Sequence, residues 1–243
     1  MGVLVDFHTH ILPCMDDGSD SVSRSLEMLA LEKEQGVDTV VLTPHFYPDN
    51  ERPESFLERR AASQRLLVDA LQGRSDLPEL LLGAEVRYFE GISDCEYLPQ
   101  LAIGDTGYVM IEMPMMKWSQ RMLDELCDIS QKQSLTPIIA HIDRYVGTHR
   151  SCVDAGELAE LPLLVQASAE FFIGRSTRRR AIKMLERGFI HLLGSDAHNM
   201  SSRRPSLENA YAVIKRSLGD EAVAYINSFE NAVLRGENHE ESF

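Results

Sequence analysis

Two imidazoles lie two positions apart in Asp6-Phe7-His8-Thr9-His10. In an extended strand such residues project from one face, so both rings can reach a single cation. Taken alone, the pair is as readily a hydrogen-bonded or surface feature as a metal site. The same donor types recur along the chain, however, in Thr43-Pro44-His45, Gly83-Ala84-Glu85, Ile111-Glu112, Ala140-His141 and Ser195-Asp196-Ala197-His198. Acids brought together without compensation repel one another and resist burial, and divalent cations reverse that penalty. Imidazole plus carboxylate without thiolate suits manganese, iron or zinc, and bridging carboxylates commonly hold two or more ions together.

What must position these groups is legible from the apolar pattern. Short aliphatic runs at 3–7, 38–43, 79–84, 107–112, 136–141, 163–167 and 189–194 predict seven strands. Helical periodicity falls on Ser21–Gln35, with Gly36 as its stop, and on Phe56–Leu71, Met122–Gln133, Pro205–Leu218 and Glu221–Leu234. Strands alternating with helices imply parallel pairing through right-handed crossovers. The expectation is an α/β fold, a distorted TIM-like (β/α)7 barrel forming a single domain over 1–243, with 236–243 as a frayed tail. In such a barrel the C-terminal strand ends meet at one mouth, and six of the seven predicted strands end in His, Glu or Asp.

Composition narrows the class. A chain of 243 residues with 44% apolar content can bury a substantial core. No run of eighteen apolar residues exists, and the N-terminus has no basic or apolar leader, so a cytoplasmic protein without membrane insertion is expected. The balance of 24 Lys+Arg against 38 Asp+Glu gives −14 and disfavours nucleic acid as a partner. Cys14, Cys95, Cys127 and Cys152 form no CxxC pair and are expected to be reduced and mostly buried, Cys14 packing in its loop. The run Arg175, Arg178, Arg179 and Arg180 is read as a solvated helical face, and His191 as a packed strand residue. His149 and His239 have no evident role.

In order, Asp6-Phe7-His8-Thr9-His10-Ile11-Leu12-Pro13, Asp16-Asp17-Gly18-Ser19, Thr43-Pro44-His45, Gly83-Ala84-Glu85, His141-Ile142-Asp143-Arg144-Tyr145 and Ser195-Asp196-Ala197-His198-Asn199 resemble the PHP (polymerase and histidinol phosphatase) superfamily. The resemblance is to its bacterial tyrosine-phosphatase branch, associated with capsule and exopolysaccharide synthesis. It implies three divalent ions, manganese ahead of iron or zinc. His8, His10, Glu85 and Asp196 would surround the first, Glu85, Glu112 and His141 the second, and Asp17, His45 and His198 the third. Asp16 is read as a turn residue or as an acceptor supporting a ligand. Arg144 and Arg203 resemble the branch's phosphate-binding pair, and a guanidinium fork suits a phosphoryl group. The implied partners are a phosphotyrosine protein, a cognate bacterial tyrosine kinase and further copies of the same chain. Cys14-Met15 and Ile142-Asp143 depart from the usual pattern without removing a donor.

The donor set fits phosphomonoester hydrolysis by a water acidified by the ions. A cysteine-based phosphatase needs Arg six positions after Cys, where this chain has Asp20, Leu101, Gln133 and Leu158. Three alternatives stand beside the tyrosine phosphatase. The first is a small-molecule phosphatase of the histidinol-phosphate type. The second is an amidohydrolase, disfavoured because Glu85 and Glu112 stand where that family generally places a bridging lysine. The third is a noncatalytic, metal-stabilised regulatory module.

Overall fold

A computed structural model describes residues 3–147 and 151–237. Strand β1 (Val5–Thr9) pairs in parallel with β2 (Thr39–Leu42), and β2 with β4 (Glu79–Leu82). A second run of parallel neighbours joins β3 (His45–Phe46), β5 (Glu85–Arg87), β6 (Tyr108–Glu112), β7 (Thr136–Ile139), β8 (Leu164–Ser168) and β9 (Leu192–Gly194). The strands expected at 38–43 and 79–84 appear as β2 and β4, and beyond breaks at Thr43-Pro44 and Gly83-Ala84 the chain resumes as β3 and β5, past the expected ends. Proline cannot donate to a ladder, and glycine leaves no side chain to pack, so both breaks have a local cause. The curled sheet closes on itself through a parallel bridge between Thr9 and Ala197, where His10 N–H donates to Ala197 O at 2.9 Å and Asp196 N–H to His8 O at 2.8 Å.

Alternation sorts the strand side chains into two apolar layers. Val5, Phe7, Val41, Tyr108, Met110, Ile138, Leu164 and Leu192 form one cluster inside the ring, joined by Phe229 and Val233 of the last helix. Val40, Leu42, Val109, Ile111, Ile139, Val165 and Leu193 belong to the other, between strands and helices. Each fully buried side chain of this size contributes about 1.5–3 kcal/mol relative to exposure.

The outer layer comprises α1 (Val22–Glu34), α2 (Pro53–Ala70), α3 (Gln120–Gln133), short α4 (Ala155–Ala159) and α5 (Ala169–Ile173), α6 (Arg178–Glu186), α7 (Leu207–Leu218) and α8 (Asp220–Arg235). Ser21 caps α1 by accepting from Arg24 N–H, and α2 starts earlier than periodicity suggests, at Pro53, whose fixed φ suits a first helical position. The alternation of strand and helix is less regular than expected. Only 3-10 turns separate β5 from β6, and a 3-10 turn (Ile142–Arg144) and α4 lie between β7 and β8.

Two expectations are corrected. Of the four cysteines only Cys152 is buried; Cys14 is exposed, with its thiol donating to Asp20 O at 3.0 Å. The arginine run is only partly a solvated face. Arg178 donates to Phe172 O and Ile173 O at 3.0 and 2.7 Å, closing the end of α5, and Arg180 lies 5.2 Å over the Phe171 ring. His191 is packed as expected, its Nδ1 accepting from Val165 N–H. His149, His239 and the tail residues 238–243 lie outside the described residues, while Gly236 and Glu237 of the tail expected to fray are held, Tyr108 Oη donating to Glu237 O at 2.6 Å.

Candidate metal centre

Which side chains reach the mouth is decided by strand phase. Met110 points inward, so Glu112 does as well, and Glu85 lies inward where Val86 joins the outer layer. His8 and His10 are out of phase with inward Val5 and Phe7. A register shift between Asp6 and Thr9 turns them toward the mouth. His141 follows inward Ala140 and is turned by a left-handed backbone, φ +32°, and Asp196 is left-handed at +54°. Non-glycine residues adopt such conformations at a cost of order 1–3 kcal/mol, a strain that clusters at functional sites.

All nine expected donors meet. His8 Nε2 and His10 Nε2 are 3.1 Å apart, each 3.3–3.4 Å from Glu85 Oε2 and 3.4–3.6 Å from Asp196 Oδ1. His141 Nε2 lies 2.7 Å from Glu85 Oε1 and 3.7 Å from Glu112 Oε1. Asp17 Oδ1, at the exposed lip, is 3.6 Å from His45 Nε2 and 3.4 Å from His198 Nε2. Three groups lie close enough to supply one ion each, His8/His10/Glu85, His45/Glu85/Glu112 and His10/Asp17/His45/His198, so Glu85, His45 and His10 are each shared by two groups, while His141 and Asp196 border them rather than joining as expected.

The chemistry of the donors fits divalent cations. Glu85 Oε2, Asp196 Oδ1 and His198 Nε2 are buried without a hydrogen-bond partner among the described residues. His45 Nδ1 approaches Glu85 Oε2 to 2.7 Å without hydrogen-bond geometry. Buried polar atoms rarely go unsatisfied unless something else is to bind them. Electrostatics agree. Burial alone would push the imidazoles of His8 and His10 down and the carboxyls of Glu85 and Asp196 up. Their mutual attraction outweighs it, holding both histidines high and both acids low.

A supporting layer fixes the ring orientations. Asp16 Oδ2 is 2.7 Å from His10 Nδ1 and accepts His45 N–H at 2.9 Å, while Oδ1 accepts Gly18 N–H. Burial raises the Asp16 carboxyl, but His10 and these N–H donors outweigh it and bring it down to about 2. It therefore acts as the acceptor anticipated for it. Gly18 is required here, because a Cβ would lie 2.2 Å from His10 O. Gln166, the inward residue of the one strand expected to carry no donor, was not foreseen. Its Oε1 lies 3.3 Å from His8 Nδ1 and 2.6 Å from His141 N, from which it accepts. An uncharged amide in a strand carries no signal of such a role.

Arg144 and Arg203 also converge. Their Nη2 atoms lie 2.6 and 2.8 Å from one oxygen, Asp196 Oδ2. They border a cleft of ≈ 470 Å³ whose lining mixes polar groups, among them Ser168, Ser202, Ser206 and Asn209, with apolar surface that includes Ile173. Cys14 belongs to none of the donor groups.

Comparison with known proteins follows the same line. The family described as capsular polysaccharide synthesis, CpsB/CapC, matches residues 4–234. The tyrosine-protein phosphatase YwqE of Bacillus subtilis is 28% identical over 96% of this chain and 92% of that protein. The tyrosine-protein phosphatase CpsB of Streptococcus pneumoniae is 29% identical over 89% of this chain and 91% of its own. A solved structure from work on YwqE and CpsB, described as unique metal-dependent tyrosine phosphatases, superposes with a TM-score of 0.82. It is 24% identical, covers 96% of this chain and 95% of its own, and shares the fold.

Proposed function

The chain belongs to the CpsB/CapC family of capsular polysaccharide synthesis proteins, and from that footing we propose that it is a metal-dependent protein-tyrosine phosphatase. The observation that carries this reading is the meeting of seven imidazole and carboxylate donors in three overlapping groups, with His141 and Asp196 at their border, beside two arginines that share Asp196 Oδ2. Its ions are three, manganese ahead of iron or zinc. His8, His10, Glu85 and Asp196 hold the first, Glu85, Glu112 and His141 the second, and Asp17, His45 and His198 the third. When bound, they supply Lewis-acid stabilisation and lower the pKa of water toward about 7.

The protein's own groups then have distinct work. Arg144 and Arg203 offer guanidinium forks to phosphoryl oxygens, the contact that orients phosphorus and neutralises charge as the ester bond breaks. Asp196 Oδ2 holds both arginines at the border of the donor cluster before substrate arrives. Asp16 and Gln166 keep the His10 and His8 rings turned so that Nε2 of each faces the cluster. Buried walls around Glu85 and His141 limit water at the reacting centre.

The substrate is a phosphotyrosine protein, with a cognate bacterial tyrosine kinase as its source, in regulation of capsule or exopolysaccharide synthesis in the cytoplasm. Among the described residues no helix is long and apolar enough to cross a membrane. The whole chain serves as one barrel domain, and copies associate into a homo-oligomer. The test is turnover of a phosphotyrosine peptide against histidinol phosphate, with and without a chelator. Loss on chelation and recovery with manganese(II) are expected, with the peptide preferred. Activity that survives complete chelation, or strong preference for histidinol phosphate, overturns the assignment.

A further inference from the structure

An imidazole that binds a metal usually has its other ring nitrogen fixed from outside the site. That holds for three of the five histidines at the mouth. Asp16 meets His10 Nδ1, Gln166 meets His8 Nδ1, and the backbone oxygen of Asp196 lies 2.8 Å from His198 Nδ1. His141, whose Nδ1 has no partner among the described residues, is braced through its backbone N–H by Gln166. His45 is different. Its Nδ1 lies 2.7 Å from Glu85 Oε2 and its Nε2 3.6 Å from Asp17 Oδ1, so both nitrogens face donor carboxylates. The same ring enters two of the three donor groups. It has no nitrogen left with which an outside acceptor could set its plane.

The faces of the ring are held instead. β3 and β5 run in parallel, with His45 opposite Glu85 and Phe46 opposite Val86. Phe46 and Val86 belong to the outer layer, so alternation sends the residues on either side of them to the inner face of the mouth. Tyr47, one residue beyond β3, stacks on His45 with ring centroids 4.9 Å apart and planes at 22°. Arg87, the last residue of β5, places its guanidinium carbon 5.5 Å from the centre of the Tyr47 ring. His10 adds a tilted ring contact to His45 at 4.4 Å. A phenol would bind a metal through its oxygen only as phenolate. Burial, with Glu112, Glu85 and Asp17 nearby, holds the Tyr47 hydroxyl well above its ordinary value of 10, so Tyr47 acts through its ring.

We propose that Tyr47 and Arg87 are positioning residues for the metal centre: Tyr47 fixes the plane of the His45 imidazole by stacking, and Arg87 fixes Tyr47 by a cation–π contact. The proposal rests on the metal-centre reading above. Arg87 is exposed and makes no ion pair among the described residues, so its charge is not spent on an acid and remains available to the ring. Plain electrostatics points the other way. A positive group near a cation site repels the ions, so an arginine with no other use there would weaken their binding. Stacking and repulsion therefore predict opposite signs for the loss of Arg87.

The experiment strips the full chain with a chelator and titrates it with manganese(II), following the free ion by electron paramagnetic resonance, with no substrate present. Tyr47→Leu keeps apolar bulk but loses the aromatic face, and should weaken manganese binding about tenfold, as loss of a ligand's outer support does. Tyr47→Phe keeps the ring and should stay within about twofold of wild type. Arg87→Met should weaken binding about two- to fivefold, the worth of an exposed cation–π contact. In a Tyr47→Leu background the same change should bring no further loss. Matching thermal midpoints of the metal-free proteins show that the fold is kept. Wild-type affinity in Tyr47→Leu, or tighter binding by Arg87→Met, overturns the stack alone. If wild type takes up no manganese, the metal-centre reading falls and the stack with it.

Discussion

The side-chain oxygen of Gln166 accepts the backbone N–H of His141 at 2.6 Å, deep in the barrel and one residue beyond inward-facing Ala140, which follows β7. That bond braces a histidine whose φ is +32°, and the same oxygen contacts His8 Nδ1. Gln166→Ala is therefore expected to leave a buried N–H unpaired, costing about 1–3 kcal/mol. It should also weaken metal binding about 10–100-fold by freeing the His8 ring. Metal titration beside a denaturation curve reads both effects; wild-type metal affinity in the variant would remove the bracing role.

Lysine cannot replace either arginine at the shared Asp196 oxygen as a fork. Arg144→Lys and Arg203→Lys should each lower kcat/KM for a phosphotyrosine peptide about tenfold or more, with metal content unchanged. Because both guanidinium groups contact Asp196 Oδ2, the double variant should lose less than the product of the single losses. Strictly multiplicative losses would show that the two act independently.

Gly194 packs where no other residue fits. An added Cβ would lie 2.5 Å from His8 Cβ and 2.8 Å from Gln166 Nε2. Gly194→Ala is expected to destabilise by about 1–3 kcal/mol, as overpacking does, and to reduce metal affinity by displacing His8. A variant with normal stability and metal content would mean that this contact relaxes freely.

Glu230 on α8 is fully buried, accepting from Tyr211 Oη at 2.7 Å. Burial, with Asp6 nearby, raises its carboxyl from 4.5 to about 8 despite that hydrogen bond. Below pH 4.5 both folded and unfolded chains hold this proton. As pH rises from 4.5 to 8, the unfolded chain releases it while the folded one keeps it. Stability should fall across that window by up to about 1.4 kcal/mol per pH unit. Glu230→Gln should flatten this component, since an amide cannot titrate. Parallel stability profiles for the two proteins would contradict the assignment.

The reach of the sequence varies by residue. Glu85 and Glu112 were readable because strand alternation alone points them inward, and Ser21 and Gly36 marked the ends of α1 by ordinary capping chemistry. His8, His10 and His141 were found by residue type. The register shift and left-handed turn that aim them are tertiary, and strict alternation would have sent His8 to the outer face. Gln166 stayed hidden because amides serve structure everywhere. Arg178 and Arg180 misled because charge runs usually face water, whereas here one closes a helix end and the other covers Phe171. The missing helix between β5 and β6 reflects 3-10 turns that leave no periodic trace.

At the seam of the ring, the Thr9–Ala197 bridge and the bond from Ser195 N–H to Asp6 Oδ1 hold together the two ends of the sheet. The first proposed ligand group straddles that join, with His8 and His10 on one side and Asp196 on the other, while Glu85 comes from β5. A fragment stopping short of Ser195 would keep every strand and Glu85, Glu112 and His141, but would lose Asp196 and His198 and with them one donor each from the first and third groups. Cations held by the first and third proposed groups would span that join, so that their loading and completion of the fold would reinforce each other.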